Sequence, residues 1–123
     1  MAEIIGKLDR HHDLRQRTKT FALRIIRLCD ALPHRRSANA IASQLVRSGT
    51  SVAANYRAAG RARSKAEFIA KLGLVIEEAD EVVFWVELLC ESEIVEPSRL
   101  EPLLKEAHEL LAIFAASPQT AKS

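Results

Sequence analysis

Apolar residues recur at spacings of three and four along four stretches of this chain, and no stretch alternates apolar and polar residues at period two. The first seam, Leu14, Thr18, Phe21, Ile25, Leu28 and Leu32, predicts a helix over residues 13–31 that Pro33 stops. Asp13 stands where it would cap the first turn, and Gln16 three residues on has capping-box spacing. A second seam, Ile41, Leu45, Ser48, Val52, Asn55 and Ala59, predicts a helix over 37–59. Gly60 closes it, since glycine takes the left-handed conformation at a helix end without a Cβ clash. Ser64 and Glu67 read as a capping box that opens a third helix over 64–91. Its seam is Ile69, Leu72, Ile76, Ala79, Val83, Val86 and Cys90, with Phe68, Val75, Val82 and Leu89 alongside and Leu74, Trp85 and Leu88 as a third patch. Leu100, Leu103, Ala107, Leu110 and Phe114 predict a fourth helix over 98–116, opened by Ser98 to Glu101 as a box or by Pro102 at a first helical position. Pro118 is expected to end the order before a flexible polar tail, 118–123.

The connections between these stretches are short, so neighbouring helices should be antiparallel. The expected fold is all-α, a single-domain up-down-up-down four-helix bundle with left-handed packing. A chain of 123 residues supports such a core without covalent staples. No run of about 18 apolar residues occurs and no apolar leader follows the first charges, so the expectation is a cytoplasmic protein with no membrane partner. Cys29 and Cys90 fall on apolar helix faces, as buried reduced thiols would. The third helix carries more apolar surface than one bundle face hides, which makes Phe68, Val75, Val82, Trp85 and Leu89 the expected interface of a homo-oligomer.

Charge changes the picture more than composition does. The net charge of +2 joins a basic half, residues 1–66 with 14 Lys and Arg against 4 Asp and Glu, to an acidic half, residues 67–123 with 4 against 12. That asymmetry implies an anionic partner for the first half, packing of basic on acidic surface within or between chains, or both.

In the expected bundle, one end collects the start of helix one and the turn between helices two and three, and with them Arg10, Arg15, Arg17, Arg57, Arg61, Arg63 and Lys65. Guanidinium forks match phosphate oxygens, so this end is the candidate nucleic-acid-binding surface. Arg10, Arg17, Arg24 and Arg27 also line one stripe of helix one, readable as a phosphate-binding surface or as a face solvated or paired with a neighbour's acids. Phosphate contacts name no cognate sequence, and Tyr56, the one aromatic residue near this end, suits the core better than base stacking.

Other candidate chemistry is weaker. Ser48 to Ser51 has no following Gly-Lys-Ser/Thr and lies in a helical pattern, which favours close helix approach over a phosphate loop. Asn55 reads as a buried polar residue fixing register. Glu77, Glu78, Asp80 and Glu81 cluster without any Glu-x-x-His motif, and His11, His12, His34 and His108 do not converge. No metal, cofactor or catalytic residue is expected, and no Ser-His-Asp or Cys-His pairing stands out.

Residues 47–89, which include GTSVAANYR, RARSKAEF, EEAD and FWVELL, resemble the bacterial four-helix-bundle proteins encoded within intervening sequences of 23S ribosomal RNA genes. The likeness extends more weakly into helix one and into LLKEAHELLAIFAAS of helix four. The resemblance implies a homopentamer without enzymatic activity. A related group, the accessory proteins of diversity-generating retroelements, shares the pentameric bundle and is associated with nucleic acid and a reverse transcriptase. The chain departs from the pattern at Ala58, where close relatives often carry Glu, so any pair between that Glu and a neighbouring Arg is absent. Taken together, the expectation is a non-enzymatic homo-oligomer that binds RNA or DNA through its basic end. The alternative is a protein-interaction scaffold whose charges serve ring assembly or a protein partner such as a reverse transcriptase.

Overall fold

A computed structural model describes the backbone over residues 2–122 and the side chains over residues 11–117. It contains four helices, α1 (Ala2–Asp30), α2 (Arg36–Ala59), α3 (Lys65–Glu91) and α4 (Pro97–Lys122), and no strand among the described residues. Each helix packs on its neighbours in the order α1, α2, α3, α4, and α4 returns to touch α1 along a narrow strip. Cross-helix contacts give the direction. His11 near the start of α1 meets Tyr56 near the end of α2, and Cys29 at the end of α1 meets Ala42 near the start of α2. Arg17 meets Glu106 and Glu109, while Arg24 to Leu28 lie beside Arg99 to Leu103, so α1 and α4 also run in opposite senses.

The predicted seams are the core. Phe21, Ile25, Leu45, Val52, Leu72, Val86, Leu100, Leu110 and Phe114 are fully buried, each contributing roughly 1.5–3 kcal/mol by leaving water. Gly49 brings α2 close to α1, where Ile25 fills the space its side chain would need. Asn55 donates to the carbonyl of Ser51 in its own helix at 3.0 Å, so its amide does not bridge helices as a register-fixing residue would.

Several boundaries differ from expectation. Helix one begins at Ala2, so Asp13 lies inside it, exposed, and is not a cap. The fourth helix does not end at Pro118: α4 continues to Lys122. Pro97 takes the first position of α4, and the Ser98 hydroxyl donates to Glu96 at 3.0 Å instead of joining a box with Glu101. Ser64 caps α3 as expected, accepting from the Glu67 N–H at 3.1 Å, but the Glu67 carboxylate accepts from the Arg63 N–H, one residue before the cap. Gly60 ends α2 in the right-handed region, φ −65°, not the left-handed one.

The expected oligomer face is corrected at three of its five residues. Val75, Val82 and Leu89 are fully buried within the subunit, and Phe68 and Trp85 pack against the same core. The reason is position: α3 lies between α2 and α4 and must bury a wide arc against both. The large apolar residues α3 does expose are Leu74 and Phe84, at 43% and 51%.

Candidate nucleic-acid interface

The α2–α3 turn brings together part of the predicted basic end. Arg57 and Arg61, one helical turn apart, and Arg63 line an open groove of about 670 Å³ with Ala54, Ala58, Glu67 and Lys71. Small alanines floor the groove on the α2 side, leaving the long cationic side chains around it. None of these four cations forms an ion pair with a carboxylate among the described residues, although Glu67 shares the groove. Lys71 is missed by a reading that stops at the turn; its place one turn after Glu67 is the signal that could have found it. Ala58 lies in this groove, so the departure from the resembled pattern leaves the site without a second carboxylate.

The remaining candidates separate. Arg17 is committed elsewhere: its guanidinium holds Glu106 through two hydrogen bonds, 2.8 and 2.6 Å, and Glu109 at 2.8 Å. Hydrogen bonding from Arg17 lowers the Glu106 pKa, the charge of Arg17 adding to the effect. Arg24 lies in a different groove with Arg27 and Arg99, far from the α2–α3 turn along the helices. The stripe on helix one is therefore not one surface. Arg15 and Lys65 are exposed and line neither groove, and the side chain of Arg10 lies outside the described residues.

Beside the first groove, His11 Nδ1 lies 3.0 Å from the Tyr56 hydroxyl, and the two rings pack 4.9 Å apart. Burial, with the nearby charge of Arg15, lowers the His11 pKa, and burial raises that of Tyr56 to about 12. Both groups are thus neutral at neutral pH, and Tyr56 is a core residue with a polar tip rather than a stacking platform. Burial likewise raises the Cys29 thiol to about 11, far from the thiolate a nucleophile or metal ligand needs. Among the described residues, no group of three or more His, Cys, Asp or Glu is placed to hold a metal ion.

Residues 10–116 match the sequence profile of the 23S rRNA-intervening sequence proteins. The chain belongs to that family. The 23S rRNA-intervening sequence profile reaches all four helices, from Arg10 in α1 to Ala116 in α4. A crystal structure from Bacteroides thetaiotaomicron, described as a protein of unknown function from the S23 ribosomal protein family, is similar at 30% identity with a TM-score of 0.82. The match covers 89% of this 23S rRNA-intervening sequence protein and 97% of the Bacteroides chain. Comparison with curated proteins finds no match.

Proposed function

We propose that this protein is a non-enzymatic, cytoplasmic homo-oligomer that binds RNA or other nucleic acid through the groove at the α2–α3 turn. The observation that carries this reading is the convergence of Arg57, Arg61, Arg63 and Lys71 around one open groove, with no carboxylate in ion-pair contact among the described residues. Such a groove suits a phosphate backbone. Its alanine floor has no aromatic face for a base, so recognition rests on charge and shape rather than sequence. No helix among the described residues is long and apolar enough to cross a membrane.

The test is binding of a labelled structured RNA across a salt series. Each phosphate contact contributes roughly 0.7–0.9 to the log-log slope, so changing Arg57, Arg61 and Arg63 together to Ala should lower it by about two to three units while oligomer mass is unchanged. Ala58→Glu, adding a carboxylate to the same groove, should weaken binding in the same direction. Absence of binding at low salt overturns the reading. The second reading, a protein-interaction scaffold serving ring assembly or a partner such as a reverse transcriptase, is favoured by the exposure of Phe84 and Leu74.

A further inference from the structure

The second groove differs from the first in its floor. It measures about 320 Å³ and combines Arg24 and Arg27 of α1 with Arg99 of α4 over half-buried Leu28 and the outer edge of the buried Leu100 and Leu103. None of the three arginines forms an ion pair with a carboxylate among the described residues. Cations around a leucine floor fit an apolar anchor flanked by carboxylates, a different ligand from a phosphate backbone.

The same chain displays that chemistry on the outward face of α3. Phe84 is the most exposed large apolar residue among those described, held edge-on to Trp85 with ring centroids 4.9 Å apart. Asp80 and Glu87 lie one turn to either side of it, Glu77 and Glu91 two turns away, and all four are exposed. We propose that Phe84 of one copy seats in the Arg24, Arg27 and Arg99 groove of the next, with its flanking acids meeting those arginines. This rests on the homo-oligomer reading above and assigns it an interface.

Register along the bundle supports the pairing. Cys29 of α1 is level with Ala42 of α2, to whose carbonyl its thiol donates at 3.7 Å. Arg47, further along α2, reaches Glu78 and Glu81 of α3. Arg57 shares a groove with Glu67 while the earlier Arg47 reaches the later Glu81, so α2 and α3 run in opposite senses, and the α3 residues level with Ala42 lie just beyond Glu81, where Phe84 stands. Phe84 is therefore level with Leu28, on the floor of the groove. Copies standing side by side engage without sliding along the axis. Two different patches make such a contact heterologous, and it closes into a ring when the rotation divides a full turn. The two arginine grooves then have separate duties: the leucine-floored one serves assembly and leaves the alanine-floored one open.

Sedimentation velocity on charge-swapped variants tests this, with circular dichroism confirming unchanged helicity. Arg27→Glu with Arg99→Glu should dissociate the assembly to monomers, as should Asp80→Arg with Glu87→Arg. All four changes in one chain should restore the wild-type mass. If the wild type is oligomeric and both double variants keep its mass, or if the fourfold variant stays monomeric while each double variant dissociates, this interface is overturned and the homo-oligomer reading stands. A monomeric wild type overturns both.

Discussion

Single residues here act through neighbours that are distant in sequence. Gly60 is right-handed, so its missing side chain is not needed for backbone freedom; a Cβ there would run into the imidazole of His11. Gly60→Ala should destabilise the fold by roughly 1–3 kcal/mol, as overpacking does. The same change in a His11→Ala background should be nearly neutral, and urea unfolding of the four variants in this cycle measures the difference. Gly60 is legible as a helix stop because the signal is local, but its reason is not, because the clashing group comes from α1. Asn55 shows the same limit: its seam position can be read, yet its choice of the Ser51 carbonyl over another helix depends on packing.

At the scale of elements, α1 and α4 share only a narrow strip, and the Arg17 fork to Glu106 and Glu109 ties them across it. The Glu106 pKa is depressed in the folded protein, so its contribution is fully present above the ordinary Glu value of about 4.3 and is lost as pH falls through the lower folded value. Glu106→Gln should cost about 1 kcal/mol at pH 7, a modest figure because solvent screens the partly exposed Arg17, and the difference should vanish near the acid limit. Chemical denaturation at pH 7 and at successively lower pH checks it, the difference shrinking as pH falls. Helix positions are legible because the seams follow one period over several turns. The end of α4 is less so, because Pro118 reads as a breaker while the helix runs on to Lys122. The wide apolar arc of α3 reads as spare surface only while its two flanking helices are out of view.

For the whole molecule, half of the 14 basic residues in the first half of the chain fall into three groups. Arg17 and Arg47 meet acids of the second half inside the subunit, through Glu106, Glu109, Glu78 and Glu81. Arg57, Arg61 and Arg63 surround one groove, and Arg24 and Arg27 join Arg99 at another. The asymmetry is readable by counting, but its division is not, since it depends on which helices become neighbours. Phe84 belongs to none of the predicted seams, and that exclusion is the only trace in the sequence of its outward position. The narrow α1–α4 strip also bears on the order of events in folding. It joins residues from opposite ends of the chain, so its loop-closure entropy is the largest in the bundle, while α2 and α3 meet across a short turn. Stopped-flow kinetics should give a φ-value near zero for Glu106→Gln and a clearly larger one for Leu72→Ala. Substitutions along the strip would then govern how long the folded molecule survives and leave the speed at which it forms almost untouched.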